Sequence, residues 1–285
     1  MASALDPTRT GNFFLDALTN GSRTRLLPHL ENVAMNNGDP VGESGKPIAS
    51  LSFPLDALLS TVATMRDGAM VEVTVTGREG FYGLPAVFGD DQSLNEAMVQ
   101  SSGAVLRMRS ERFIEMLRDD PELNARTLRY AQSVFVAISQ FAACNRLHPV
   151  NERCARWLLM AHDRVVGDEM LLTHEYLAKM LGVRRPAVTL AAASLERDGL
   201  IEYGRGRIVV LDRFRLQAAA CECYAVINDE CTRLLGYDVR KVSGDGESGV
   251  TGCATPAVHG ARRPGPYLPS RWKLRYSSAS RSGRL

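Results

Sequence analysis

Residues 171–212 read LLTHEYLAKMLGVRRPAVTLAAASLERDGLIEYGRGRIVVLD, and this stretch decides how the C-terminal half of the chain folds. Thr173 stands before Glu175-Tyr176-Leu177-Ala178-Lys179-Met180-Leu181 as an N-cap stands before a helix, and Glu175 puts negative charge in the first turn. Leu177 and Leu181 are four apart on the inner face, and Ala178 is small enough to let a second helix come close. Gly182 supplies a turn. Arg184-Arg185-Pro186 then opens another helix, with Val188, Ala191, Ala192 and Leu195 on its buried side and Gly199 as its stop. Helix, glycine turn, helix is the helix-turn-helix pattern. Residues 200–203 and 208–211 follow as two short strands around Gly204-Arg205-Gly206-Arg207, a hairpin wing with two cations at its tip.

The charge pattern points the same way. Eight Lys/Arg and four acids lie between Lys179 and Arg215, within a chain whose net charge is only +2. Cations on such elements gain affinity for phosphate by releasing counterions, and the start of the second helix is placed to reach base edges in a major groove. Residues 240–285 hold nine Lys/Arg against two acids, a balance of +7, which leaves −5 on residues 1–239. That tail is rich in Gly, Pro and Ser and poor in large apolar residues, so it is expected to be a disordered basic extension from residue 239.

Upstream the texture changes. Residues 13–30 have helical spacing with a break at Asn20-Gly21. Residues 36–103 are punctuated by Gly and Pro, with β-rich runs at 48–53, 60–65, 70–75 and 97–100, and a final strand at 104–108. Short strands between turns indicate an antiparallel sandwich or barrel. Val71, Val73 and Val75 alternate with Glu72 and Thr74, the period of a half-buried strand. Ser110 is placed to cap a helix, and Pro121 opens a longer one. Leu128, Phe135 and Ala142 are seven apart, with Ala131 and Ile138 between them, a heptad stripe fit to pair two copies of the chain. Pro149 ends this helix. Residues 130–145 are uncharged but too short to span a bilayer and carry Gln132, Ser133, Ser139 and Gln140. With no apolar leader in residues 1–12, a soluble, cytoplasmic protein without membrane contact is expected.

Taken in order, these parts resemble the Crp/Fnr family of bacterial transcription regulators. The resemblance spans about residues 13–235 and is carried by residues 173–188, 194–211, 67–89 (DGAMVEVTVTGREGFYGLPAVFG) and 142–163 (AACNRLHPVNERCARWLLMAHD). It implies an α+β chain in four parts. These are a cyclic-nucleotide-binding-like antiparallel β-roll (a double-stranded β-helix, 11–120), a dimerisation helix (121–149), a winged helix-turn-helix (150–238) and the tail (239–285). It puts Arg184, Arg185, Pro186, Thr189 and Leu190 on a recognition helix. Double-stranded DNA is the implied partner, together with a second copy of the chain, and RNA polymerase is a candidate. Arg185 is best placed to read guanine, Thr189 to touch phosphate or a thymine methyl, Thr173 to contact phosphate, and Arg205 and Arg207 to hold backbone. In the best-known members a Glu follows the cognate of Arg185 and an Arg stands at the cognate of Leu190. Pro186 and Leu190 occupy those places here, so a different operator is expected. The alternative is a sensing module whose winged helix contacts protein.

Members that bind cyclic AMP hold the ribose with a Gly-Glu and the phosphate with an Arg before a small residue. The corresponding places are Gly83-Leu84 and Asn95-Glu96-Ala97, which supply neither the carboxylate nor the cation. An effector pocket, if formed, would involve Gly83, Leu84, Asn95, Ala97 and Ser139. Cyclic AMP is not an expected ligand. An N-terminal iron–sulfur cluster is not expected either, since the first cysteine is Cys144, nor is haem, since none of His29, His148, His162, His174 and His259 falls within 36–110. The six cysteines (144, 154, 221, 223, 231, 253) read as free thiols. A metal site on Cys221, Cys223 and Cys231 lacks the Cys-x-x-Cys pairing of common zinc sites, so no metal is expected. No nucleophile elbow, P-loop or His-Glu-x-x-His motif appears, and catalysis is not expected.

Overall fold

The computed structural model describes residues 9–90 and 92–240. Two short helices come first, α1 (Phe13–Asp16) and α2 (Asn20–Leu26). The break expected at Asn20-Gly21 falls instead at residues 17–19, because the Asn12 and Thr19 side chains cap the two helices and make Asn20 the start of the second.

Turns then divide the chain into strands β1 (Glu31–Met35), β2 (Pro40–Gly42), β3 (Ser50–Pro54), β4 (Leu58–Thr64) and β5 (Met70–Thr76). A one-turn helix, α3 (Leu84–Val87), precedes β6 (Glu96–Ser101) and β7 (Gly103–Arg109). They form two antiparallel sheets, in the orders β1-β7-β3 and β2-β6-β4-β5. This is the roll. The five strands read from the sequence are all present. β1 escaped that reading because Met35 is its sole buried residue, so it has no apolar alternation.

Two cores fill this half. Met35, Leu59, Ala97, Val99 and Val105 form one. In the other, Phe14, Phe53, Phe81 and Phe113 meet at ring separations of 5.0–6.2 Å. Tyr130 joins that cluster at 4.9 Å from Phe81, and its hydroxyl donates to the Phe81 carbonyl at 2.9 Å. A Cβ at Gly80 would lie 2.0 Å from the Tyr130 ring, so this crossing requires glycine.

Helix α4 (Ser110–Asp119) leads to α5 (Pro121–Leu147). Ser110 is the first residue of α4 and not its cap: its hydroxyl donates to the Ile48 carbonyl at 2.5 Å. Asp120 caps α5, accepting from the Glu122 and Leu123 amides. One face of α5 (Leu123, Thr127, Tyr130, Ala137, Phe141) packs into its own chain. The other leaves Phe135 70% and Leu128 55% exposed, with Ile138 and Ala142 also outward and Ala131 half-buried.

The C-terminal half holds α6 (Val150–His162), β8 (Glu169–Leu171), α7 (His174–Leu181), α8 (Arg185–Arg197), β9 (Ile201–Gly204), β10 (Arg207–Val210), α9 (Arg213–Ala219) and α10 (Cys223–Leu235). β8 adds a third strand to the hairpin, in the order β8-β10-β9. α10 turns back to the roll, where Cys231, Leu235 and Val239 enter the aromatic core. Arg240 pairs with Asp229 at 3.0 Å and with Asp238 at 2.6 Å. Ordered packing thus passes residue 239, where the tail was expected to begin. The rest of the basic tail, with Cys253 and His259, lies outside the described residues. No helix among those described is long and apolar enough to cross a membrane.

The roll and the winged helix share a buried seam. Leu58, Val62 and Val75 of the roll pack with Trp157, Leu158 and Leu177 in one core. Glu72, expected on an exposed face, is buried in this seam. The Trp157 Nε1–H donates to its Oε1 at 2.9 Å, and Ser60 Oγ lies 2.6 Å from its Oε2. Nearby, Arg164 Nε donates to Glu79 at 2.8 Å with both side chains buried. The strand pattern misled because the sheet is covered on both faces, so the outward position also lost its water.

Candidate nucleic-acid interface

Local chemistry builds the helix-turn-helix. Thr173 Oγ1 accepts the Tyr176 amide at 3.1 Å, a cap worth about 1 kcal/mol to α7. Gly182 closes α7 in the left-handed region at φ 62°, and a Cβ there would lie 3.0 Å from Val71 of β5. Leu177, Ala178 and Leu181 face inward, as do Val188, Ala191, Ala192 and Leu195 of α8. Apolar burial therefore fixes how α8 is rolled about its axis. Its other face carries Arg184, Arg185, Pro186, Thr189 and Leu190, all exposed, Leu190 at 74%. Docking on the roll uses α7 and the turn, and leaves this face free.

The wing tip is a two-residue turn, Arg205-Gly206, with φ values of 52° and 79°. Both positive angles are those of a tight hairpin, and Arg205 is the single non-glycine residue so placed among those described. The Leu172 amide donates to the Gly206 carbonyl at 2.8 Å, which brings the tip against the start of α7 beside Thr173. Thr173, Arg205 and Gly206 thus lie together at a helix N-terminus, where amides and dipole favour an anion.

Among the described residues, no carboxylate forms an ion pair with Arg184, Arg185 or Arg205; Arg207 meets Glu169 at 3.3 Å on the surface. The strip of cations between Lys179 and Arg215 is less uniform than its sequence suggests. Arg213 is directed inward, bonded to Asp163, to the Tyr224 hydroxyl at 2.7 Å and to His162 at 2.9 Å. It is a structural cation.

His174 was not singled out from the sequence as part of this surface. Its ring stacks on Tyr203 of the wing at 3.9 Å, and its Nδ1 is 3.2 Å from Thr189 Oγ1. It ties wing, α7 and α8 together. Burial, then the adjacent Arg185 guanidinium, lowers its pKa from the ordinary histidine value.

The candidate effector residues are spread apart. Gly83 has φ 122° and abuts Leu51, while Leu84 is buried in the aromatic core and Ala97 in the other roll core. Asn95 is half-buried beside Ser93, and Ser139 is exposed on α5 with its hydroxyl on the Phe135 carbonyl. A cavity between β5 and α5, lined by Thr74, Glu79, Tyr130, Ser133, Arg164 and Asn228 among others, has a volume near 30 Å³, room for water and not for a nucleotide.

Residues 152–219 match the model of the Crp-like helix-turn-helix domain. Compared with curated protein sequences, the chain matches none. Its fold is similar to that of FixK2 from Bradyrhizobium japonicum (TM-score 0.59, 15% identity, 67% of this chain and 98% of that one). It is similar also to a CRP-family transcriptional regulator from Thermus thermophilus (0.56, 18%, 73% and 98%). A third likeness is to the c-di-GMP-responsive global regulator CLP from Xanthomonas campestris (0.54, 18%, 67% and 98%). The second of these is named a transcriptional regulator and the third a global regulator. The chain thus matches a Crp-like helix-turn-helix domain over residues 152–219 and shares its roll-and-winged-helix fold with a solved regulator of the CRP family.

Proposed function

We propose that the protein is a sequence-specific DNA-binding transcription regulator that acts as a homodimer on a near-palindromic site. The observation that carries this is the bare outer face of α8. Arg184, Arg185, Thr189 and Leu190 are exposed, the two guanidiniums have no carboxylate partner among the described residues, and the fold behind them is rigidly packed. Arg185 at the first turn reads guanine, and Thr173, Arg205 and Arg207 hold phosphates beside it. The outward stripe Leu128, Phe135, Ile138 and Ala142 along α5, with the half-buried Ala131 at its edge, pairs the two copies. Half-sites then lie about one helical turn apart.

An effector acting through the roll is part of this reading, and we infer that it is not cyclic AMP. Leu84 and Asn95 supply no carboxylate and no cation for it, and burying a cyclic phosphate without a counter-charge is costly. RNA polymerase remains a partner by resemblance alone.

Arg185→Ala is expected to cost about 1–3 kcal/mol on the preferred duplex and to relax preference at one base pair per half-site. Arg207→Ala should weaken all duplexes alike and flatten the salt dependence by about one unit of slope. Anisotropy titrations on matched and single-substituted duplexes separate the two. A changed motif with Arg207→Ala, or an unchanged one with Arg185→Ala, would reverse the assigned roles.

A further inference from the structure

Three cysteines and a histidine converge where α5 gives way to α6. Cys144 lies in the last turn of α5 and His148 follows as its C-cap. Cys221 and Cys223 stand at the start of α10, after the winged helix. The Cys144 and Cys221 sulfurs are 3.5 Å apart, and Cys223 Sγ is 3.4 Å from His148 Nδ1. All four donor atoms lie within 4.8 Å of one another. Bonds of about 2.3 Å to sulfur and 2.0–2.1 Å to nitrogen give a tetrahedral zinc site S···S edges of about 3.8 Å and S···N edges of about 3.6 Å. The Cys144–Cys221 and Cys223–His148 separations are within a few tenths of these, and the remaining ones lie within 4.8 Å.

We propose that Cys144, His148, Cys221 and Cys223 form a site for one zinc-type divalent cation, which joins the end of α5 to the start of α10.

The surroundings match such a site independently of the donor distances. His148 Nε2 is 3.2 Å from Glu222 Oε2, which fixes the tautomer and leaves Nδ1 to face the ion. The Gln140 amide donates to Cys223 Sγ at 3.2 Å, the bond a metal-bound thiolate accepts from its outer shell. Three thiolates and one divalent ion carry a net charge of −1. Arg153 and Arg156 are both buried beside the cluster, and neither forms an ion pair with a carboxylate among the described residues. A thiolate-rich site gives Arg153 a counter-charge and adds to the one Glu72 offers Arg156. On binding, the ion forms three bonds to sulfur and one to nitrogen, and the three thiol protons pass to solvent, so affinity increases as pH rises.

This proposal departs from the expectation of no metal; the five described cysteines form no disulfide, as expected of free thiols. The sequence spacing suggested the wrong trio, because Cys231 lies in the aromatic core near Glu79 and not in this cluster. Cys144 and His148, four apart at a helix end, take its place. The position gives the ion a mechanical role: residues 147–149 are where the pairing helix passes into the winged helix.

The test uses the full-length protein, reduced, stripped with chelator, and titrated with Zn²⁺ and with Co²⁺. One equivalent per chain is expected, with the absorption of a tetrahedral cobalt–thiolate complex and a Zn²⁺-dependent rise in Tm. Glu222→Gln should weaken Zn²⁺ binding about 10–100-fold. Cys144→Ser, Cys223→Ser and His148→Gln should weaken it more, whereas Cys154→Ser and Cys231→Ser should leave it unchanged. Far-UV circular dichroism shows whether each variant is folded, and the wild-type titration needs no variant. Failure of the reduced wild type to bind Zn²⁺ would overturn the site. So would uptake that survives Cys223→Ser, or reduced protein that takes up no ion but oxidises to a Cys144–Cys221 disulfide.

Discussion

Phe135→Asp is expected to convert a dimer to a monomer and to lower affinity for the full operator by on the order of 10²–10⁴-fold. Phe135 is 70% exposed at the centre of an apolar stripe with Leu128 and Ile138. Its replacement takes nothing from the chain's own core, so the monomer should remain folded. In a pair of α5 helices, however, two carboxylates would face one another across a seam that excludes water, where an unpaired charge is strongly disfavoured. The loss of DNA affinity follows from geometry. Two recognition helices bound together make the second half-site an intramolecular partner, and a monomer forfeits that advantage. Light scattering or sedimentation gives the mass, and titration on whole and half operators gives the affinity. An unchanged dimer mass would remove α5 as the pairing element. Loss of the dimer with full operator affinity would mean that the two half-sites are not read together.

The second large effect concerns pH. Burial in the seam raises Glu72 from 4.5 to about 7, against opposing contributions from the Ser60 hydrogen bond, Arg156, the Trp157 indole and Arg164. Ser60 has one hydrogen and faces oxygens of both Glu72 and Gln100 at 2.6 Å. A proton on Glu72 completes this chain of three. The folded-state pKa lies above the unfolded one, so the folded state binds the proton more tightly. The stabilisation is therefore whole below about pH 4.5 and is lost as pH rises through about 7. The shift amounts to roughly 3 kcal/mol between pH 4.5 and the region well above 7. Thermal melts should accordingly show a Tm that falls from pH 5.5 to 8.5, and Glu72→Gln, which keeps the Trp157 bond without the charge, should flatten that fall. An equal slope in Glu72→Gln would show that another group controls it.

The winged helix was legible because its signals are local. Thr173 caps, Gly182 turns, the aliphatic residues of α8 recur every three to four positions, and Arg205-Gly206 fits a tight hairpin. The exposed heptad of α5 was legible for the same reason. What escaped depends on contacts far apart in sequence. Glu72 reads as an exposed strand position until Trp157, 85 residues later, covers it. Arg213 reads as one more cation near DNA until Asp163 and Tyr224 take it inward. His174 gains its role from stacking on Tyr203. The cysteines illustrate this most sharply, since 77 residues separate Cys144 from Cys221 and only the return of α10 along α5 brings them together.

If the outer face of α8 reads DNA sequence in a paired chain, enrichment from a pool of random duplexes should reveal the sequence it reads. A near-palindromic motif with half-sites about one helical turn apart is expected, distinct from the operator of the best-known Crp/Fnr members because Pro186 and Leu190 replace their reading residues. Equal recovery of all sequences, with no motif emerging, would contradict it.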